Sequence, residues 1–313
     1  MDEEFYHEPV LLNETLEYLY NSSAGSPKTS GDSEKRVYVD CTLGGGGYTK
    51  KILDSIEDSV VIAVDRDVHA IDHTKKVLAM YSDRIVFMQR NFGDIKDIVK
   101  EAGYDSVDGI AMDLGLSTYQ LSHEAGFSYQ KDTPLDMRAD KDQKLTAGDV
   151  MNTYDEKELA GIFYNFGEMR YSRQIAKEIV LQRKQKSFET TFDVVELLRN
   201  KVPPRFLNSD LSRLFQAVRI EVNGELENLE LVLVKGTGVL KEGGRIVAVS
   251  YHSLEDRIVK NAFRSDEKLK ILTKKPVEAS EEEIAVNIRS RSAKLRAAEK
   301  SSEGKGSKNK YMK

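Results

Sequence analysis

The sequence predicts an α/β fold interrupted by a helical subdomain, and two observations carry the prediction. Through the first half of the 313 residues, short apolar runs alternate with amphipathic stretches, the pattern of strands and helices wound around a parallel sheet. After Asp113 the apolar positions fall for about ninety residues at helical spacing alone, and the alternating pattern then resumes.

Val37 to Asp40 reads as the first strand, Val60 to Val64 as the second, Ile85 to Met88 as the third and Ile110 to Met112 as the fourth, each a short apolar run. Between them, Tyr48 to Ile56, Val68 to Tyr81 and Asp94 to Ala102 carry apolar residues at helical spacing. Thr146 to Arg199 is helical throughout and is expected to stop at Pro203-Pro204, where a helix does not easily continue. Beyond it come a helix from Leu226 to Leu240, a turn at Gly243-Gly244, a strand from Arg245 to Ser250, a helix from Leu254 to Phe263 and a short strand near Leu269 to Leu272. Ser292 to Ala298 reads equally as strand or helix. The chain thus divides into a core formed by 1–130 and 206–300, an inserted helical subdomain at 131–205, and a disordered basic tail at 301–313. Residues 21–36, rich in Ser, Gly and Pro, are expected to form a flexible loop.

With 40% hydrophobic and 32% charged residues, the chain is globular and long enough for one large core and a smaller one. No stretch approaches the roughly 20 apolar residues of a membrane span, and MDEEFYHEPV lacks the basic-then-apolar pattern of a signal peptide. A cytoplasmic protein with no membrane partner is expected. Cys41 is the only cysteine, which excludes an intrachain disulfide and a cysteine metal cluster within one chain. His69 and His73 lie four apart on the second predicted helix, but no third ligand is evident, so they read as a solvated face and no metal is expected. The net charge of -5 argues against a uniformly basic surface, yet it hides two basic blocks. Residues 170–186 hold six Lys/Arg against Glu178, and residues 289–313 hold nine against Glu299 and Glu303. Either alone is ordinary solvated surface; together they suggest a polyanionic partner. Arg170, Arg173 and Lys177 share one helical face by spacing. A homodimer is compatible with all of this.

Gly44 to Gly47 follow the first strand directly and precede the first helix, where an α/β sheet binds a nucleotide. Glycine lets the backbone approach a ligand, and the helix N-terminus offers unbonded N–H groups. Asp65 ends the second strand 18 positions beyond Gly47, the usual place for an acid that accepts hydrogen bonds from ribose hydroxyls. The last glycine of a dinucleotide fingerprint is absent, Thr49 standing there, and no Gly-Lys-Ser/Thr follows to cradle ATP phosphates. Asp40 would repel a pyrophosphate but suits a cationic amine or sulfonium. S-adenosyl-L-methionine fits this set best.

The segments HEPVLLNE from His7, DCTLGGGG from Asp40, DLGLS from Asp113, GFSY from Gly126, PLDMR from Pro134, FQAVRIEVNGELENLE from Phe215 and SYHSLEDRIVK from Ser250 resemble, in order and spacing, the MraW/RsmH methyltransferases. The resemblance runs from about His7 to Ala298, and PLDMR with HSLEDRIVK is highly specific in combination. It implies a Rossmann-like class I S-adenosylmethionine-dependent methyltransferase sheet with an inserted helical subdomain. It implies N4-methylation of a cytidine in the decoding region of 16S ribosomal RNA, with that RNA or the 30S subunit as partner. It implies cofactor contacts at Gly46, Gly47, Tyr48, Asp65, Phe92, Asp113 and Gln120. Departures include the long loop at 21–36, Tyr48 where the family often has His, DLGLSTYQL for a commoner DLGVSSPQL, Asn208 to Arg213 in place of a His-Pro-Ala-type run, and Asn287-Ile288-Arg289 in place of Asn-Pro-Arg. They bear on RNA contact and leave the cofactor motif whole.

Methylating an exocyclic amine is hard because its lone pair is delocalised into the ring, and an enzyme helps by accepting an N–H hydrogen bond and aligning the nitrogen with the methyl group. Asp113, after the fourth strand, is the best carboxylate for that role; the alternative is an acid that only holds the cofactor. His252 in Ser250-Tyr251-His252-Ser253 is the second catalytic candidate, able to bind phosphate, shuttle a proton or orient a neighbour, or else structural. Phe127 and Tyr129 either stack on an extruded base or pack in the core. A methyltransferase acting on DNA, protein or a small molecule shares the fold, and a cofactor-binding assembly factor without turnover is a further alternative.

Overall fold

The computed structural model describes residues 9–20, 35–115, 120–121 and 124–301. The loop expected at 21–36, apart from its last two residues, and the tail beyond 301 lie outside the described residues, as do His7, Glu8 and Ser117. The strands are β1 Arg36–Asp40, β2 Ser59–Asp65, β3 Ile85–Gln89, β4 Val107–Asp113, β5 Leu240–Ser250, β6 Leu269–Ile271 and β7 Lys294–Lys300. The helices are α1 Leu12–Leu19, α2 Gly47–Ser55, α3 Val68–Val77, α4 Ile95–Glu101, α5 Ala147–Thr153, α6 Glu156–Asn165, α7 Ser172–Gln182, α8 Thr191–Lys201, α9 Pro204–Asn223, α10 Glu225–Val239, α11 Ser253–Ser265 and α12 Glu281–Val286. Two compact units result: Met1–Gly115 with Leu226–Lys313, and Leu116–Glu225.

In the first unit one sheet has the order β3-β2-β1-β4-β5-β7-β6. Strands β1 to β5 run parallel, and β7 runs antiparallel to both β5 and β6. This is the Rossmann-like class I arrangement. Alternate strand residues feed two cores. Val37, Val39, Ile62, Val64, Ile110 and Met112 face α4, α10 and α11, whereas Tyr38, Val61, Ala63, Ala111, Val247 and Val249 face α1, α2 and α3. Because both faces are covered, the strands are apolar nearly throughout, which is why they were readable as runs. Strand order reverses at β1, which lies between β2 and β4, so the carboxyl ends of β1 and β4 open the crevice where such sheets hold ligands.

Several boundaries differ from the sequence reading. The helix expected over Val68 to Tyr81 stops at Val77, and a 3-10 turn at Ala79–Tyr81 follows. Gly243-Gly244 is no chain-reversing turn. Strand β5 runs through it from Leu240, with Gly243 at φ +77° and a register shift opposite Val107 and Gly109. Ser292 to Ala298 resolves as strand, because β7 pairs with β5 along Lys294–Glu299.

The second unit is wider than the 131–205 expected. Pro203-Pro204 does not end the helical segment but starts its longest helix, since Pro204 at the first helical position forfeits only an N–H that has no helical partner. Helix α9 then adds Leu211, Leu214, Phe215, Ala217 and Val218 to a core with Val150, Met151, Phe163, Ile179, Phe188 and Leu198. The PLDMR segment is a hub of this unit. Arg138 binds Asp136 through two bonds of 2.7 and 3.1 Å and also donates to the Gln143 carbonyl at 2.8 Å. Met137 sits at φ +61°, and a Cβ on Gly126 would lie 2.6 Å from its main-chain nitrogen. Among the described residues no helix is long and apolar enough to cross a membrane.

In the HSLEDRIVK segment, Asp256 and Arg296 form a largely buried two-pronged ion pair at 2.6 and 3.0 Å that ties α11 to β7. Removing one member strands the other charge, so Asp256→Ala is expected to cost about 3 kcal/mol in a denaturant titration. The double replacement Asp256→Leu with Arg296→Met should recover most of that loss. A single variant as stable as the parent would show that the pair contributes nothing.

Candidate functional site

The site lies at the carboxyl edge of the sheet in the first unit, where β1, β2 and β4 end in Asp40, Asp65 and Asp113. Asp40 is fully buried. Its carboxylate accepts from the Thr49 hydroxyl at 2.7 Å and from the Thr42 N–H at 3.3 Å, so it fastens the glycine loop to the first turn of α2. Enclosed in this way, it offers no free edge to a ligand, unlike the role considered from sequence. Burial pushes its pKa up to about 6 against the opposing hydrogen bonds.

The glycines divide into two kinds. Gly44, at φ +48°, would meet only the Thr42 carbonyl, at 3.9 Å, on its Cβ side, and it donates its N–H to Asp65 at 2.9 Å. Gly46, at φ +80°, would drive a Cβ to 2.6 Å from Thr74, and a Cβ on Gly47 would collide with the Pro9 ring. Side-chain space at these two is therefore claimed by the protein itself, and what they present to a ligand is main chain. Tyr48 follows suit. Its buried hydroxyl donates to the Val10 carbonyl at 2.7 Å and accepts from Thr15 at 3.3 Å, leaving only its N–H, in the first turn of α2, facing outward from the helix end.

Asp65 is half-buried and accepts the N–H groups of Gly44 and Asp67, at 2.9 and 3.0 Å. A carboxylate has about four acceptor positions, so two are left for hydroxyls. Burial raises its pKa to about 6. Phe92 opens a 3-10 turn after β3, half-buried, and the Arg66 guanidinium stands 6.0 Å from its ring centroid. The sequence reading missed Arg66, although its place directly after Asp65 was a signal.

Asp113 ends β4. Its N–H donates to the Thr42 hydroxyl at 2.7 Å, and its carboxylate accepts the Tyr251 hydroxyl. Burial first, with the negative charges of Asp40 and Glu255 behind it, lifts the Asp113 pKa to about 6, and the Tyr251 hydrogen bond pulls the other way. His252, the second catalytic candidate, is occupied as the N-cap of α11: Nδ1 accepts the Glu255 N–H at 3.5 Å, and Nε2 lies 3.1 Å from the Glu255 carboxylate. Glu255 in turn accepts the Tyr251 N–H at 2.8 Å. The residue that this segment turns toward Asp113 is Tyr251, beside a polar His252 that drew attention in the sequence.

Other candidates fall elsewhere. Gln120 belongs to the second unit, half-buried, with its carbonyl accepting from Glu124. Phe127 is 5% exposed, and Tyr129 meets Phe215 edge-on at 5.4 Å, so both pack in the second unit. Cys41 is buried, and burial with the nearby Asp40 charge pushes its thiol well above the ordinary value, which leaves it protonated. Among the described residues, no group of three possible metal ligands includes His69 or His73. Of the basic block at 170–186, Arg183 is spent on the carbonyls of Met151 and Tyr154, and Lys186 pairs with Asp193 at 2.6 Å. Arg170, Arg173 and Lys177 are exposed, but α7 begins at Ser172, so Arg170 lies in the preceding turn and not on the shared helical face expected.

The chain is similar to known proteins over nearly its whole length. The model of the MraW methylase family matches residues 4–301. A Carboxydothermus hydrogenoformans protein named ribosomal RNA small subunit methyltransferase H is 48% identical, over 95% of this chain and 98% of its own length. Proteins of the same name from Thermotoga neapolitana and Clostridium botulinum are 43% and 42% identical, over 96% and 95% of this chain and 97% and 99% of theirs.

The raised Asp113 pKa has a stability consequence of definite sign. From an ordinary value of 3.8 it rises to about 6 in the fold. The folded state therefore holds the proton more tightly, and the associated stability is complete below pH 3.8 and lost as pH rises through about 6. Asp113→Asn removes the charge at nearly constant shape. It is expected to stabilise the ligand-free protein near pH 8 by on the order of 1–3 kcal/mol, and by almost nothing near pH 4. Thermal melts at the two pH values read the difference, and equal increments at both would show that ionisation of Asp113 costs the fold nothing.

Proposed function

The chain belongs to the MraW methylase family, and from that premise we propose that it transfers the methyl group of S-adenosylmethionine to the N4 amino group of a cytidine in the decoding region of 16S ribosomal RNA. The observation that carries the reading is the pair of half-buried acids at the ends of β2 and β4, Asp65 and Asp113, beside a glycine loop that the buried Asp40 holds in place. Such acceptors suit a cofactor that has ribose hydroxyls, an ammonium and a sulfonium and no phosphate. Asp65, with acceptor positions to spare, would take the ribose; the first-turn N–H groups of α2 and the open side of Gly44 would lie against the main body of the cofactor; Phe92 with Arg66 would border the adenine. When bound, the cofactor supplies an electrophilic methyl group. The remaining work is done by the chain. Asp113 accepts a hydrogen bond from the amine, turns its lone pair toward the methyl carbon and takes the departing proton.

The cytidine and its place in the RNA are proposed from the specific motifs, with the names of the relatives in support. Cytoplasmic action on the RNA or on the 30S subunit follows from that substrate. Residues 131–205, within the second unit, are proposed to recognise RNA: Arg170, Arg173 and Lys177 are exposed, and Tyr164 and Tyr171 stand 66% and 65% exposed on α6 and beside α7, as base-stacking side chains do.

Mass spectrometry of the decoding-region RNA fragment, from cells with and without this gene, tests the central reading. Loss of one N4-methyl group with the gene is expected, and unchanged methylation sinks it. Replacing Arg170, Arg173 and Lys177 together by Gln should weaken RNA binding and reduce the slope of log affinity against log salt by about two, with cofactor affinity unmoved. A slope equal to the parent's would return these side chains to ordinary solvated surface.

A further inference from the structure

We infer that Tyr251 is a positioning residue of the methyl-transfer site: seated on the bare main chain of Gly115, its hydroxyl aims the Asp113 carboxylate at the substrate amine. The inference rests on the reading of Asp113 as proton acceptor given above, and it assigns work to a residue that neither the glycine loop nor the cofactor requires.

Three observations independent of titration carry it. Strands β4 and β5 pair Asp113 with Val249, and the Leu114 N–H donates to the Val249 carbonyl at 3.0 Å, so the chains leaving the two strands run side by side. A Cβ on Gly115 would lie 2.6 Å from Tyr251 Cε2 and 3.0 Å from Cδ2 and Cζ. The ring therefore lies directly against the glycine, where any larger residue would displace it. Behind the ring, the Tyr251 N–H is held by Glu255 at 2.8 Å, and Glu255 is itself buried in the first turn of α11. Ring and main chain are thus fixed from two sides, and the hydroxyl donates to Asp113.

The groups around Asp113 decide what this hydrogen bond does. Asp40 at the end of β1 and Glu255 on α11 are negative and oppose its ionisation. Tyr48 on α2 lies within electrostatic reach. Arg289, in the 3-10 turn Ile288–Ser292, has its own pKa lowered by burial, with Tyr251 and Asp113 acting against that loss. Burial, then the Asp113 charge, pushes the Tyr251 phenol far above its ordinary range, so it remains a donor throughout the working pH range and is no base. The Tyr251 hydroxyl and the Gly115 N–H, 3.5 Å from Asp113 Oδ1, both favour the ionised form, and a carboxylate with about four acceptor positions keeps room for the amine. As the amine nitrogen bonds to the methyl carbon, the carbon–sulfur bond breaks with its electron pair on sulfur, and the N–H proton passes to the Asp113 carboxylate. The products are N4-methylcytidine, S-adenosylhomocysteine and protonated Asp113, which releases its proton to solvent.

The test is single-turnover methylation of 30S subunits by the full-length protein at saturating S-adenosylmethionine, from about pH 5.5 to about pH 9, for wild type, Tyr251→Phe and Gly115→Ala. The wild-type rate should climb with ionisation of Asp113, through about pH 6. Both variants should move that limb up by about one pH unit, so that the rate falls roughly fivefold near pH 6 and hardly at all near pH 9. The KM for S-adenosylmethionine should change little. A variant that loses rate by the same factor at every pH has a merely structural lesion and overturns the inference. If wild type methylates nothing at any pH, the functional reading fails, and carboxyl-carbon NMR titration of Asp113 in the ligand-free protein then decides. A midpoint no higher in Tyr251→Phe than in wild type overturns the inference by that route as well.

Discussion

The carboxyl edge of the sheet depends on one buried carboxylate. Asp40 holds the Thr49 hydroxyl with one oxygen and the Thr42 N–H with the other, and the Thr42 hydroxyl accepts the N–H of Asp113. A single hydrogen-bonded line thus joins the first turn of α2, the glycine loop and the end of β4 across the point where strand order reverses. A charge taken out of water is tolerable only when its hydrogen-bonding capacity is met, so the loop has little freedom to adopt a second arrangement. The positions of Gly44, Asp65 and Asp113 are consequences of that line.

Legibility in the sequence followed the range of the interactions. β1 to β4 could be read because both faces of each strand are buried and the residues are apolar in succession. β7 could not, because Arg296 and Glu299 belong in a strand only through Asp256 and Arg245, partners more than a helix away in the chain. Pro203-Pro204 misled for a local reason: the same residue breaks a helix from inside and starts one from its first position, and apolar spacing before and after it does not say which. In the site, acids at strand ends were legible because their place in the βα unit is set by topology. What was hidden was occupancy. Nothing in GGGG says that Pro9 and Thr74 fill the spaces at Gly47 and Gly46, or that the Tyr48 ring is turned to Val10.

The motifs that mark the family split between chemistry and scaffold in a way their residue types conceal. In Tyr251-His252-Ser253-Leu254-Glu255-Asp256, the imidazole and both acids look catalytic, yet His252 and Glu255 cap α11 and Asp256 pairs with Arg296. PLDMR likewise spends its aspartate and arginine on each other. Charged groups in a motif can be needed to close a helix end or satisfy a buried partner, and leaving such a partner unsatisfied costs stability outright.

The acids at the strand ends also bear on how the proposed reaction turns over. Asp40, Asp65 and Asp113 all have pKa values lifted to about 6 by burial, so near neutral pH the ligand-free protein carries carboxylates that its own interior disfavours. Asp40 is closed off and Asp65 is turned to hydroxyls, so on the proposed reading a ligand with positive charge relieves that cost at Asp113, and by linkage the relief appears as binding affinity. On the proposed reading, transfer of the methyl group converts a sulfonium to a neutral thioether while Asp113 gains a proton. Until Asp113 gives that proton to solvent, a charge is missing on the ligand and another on the protein. On that reading the product is held less firmly than the cofactor for a reason that lies in the Asp113 carboxylate itself, with no conformational change required.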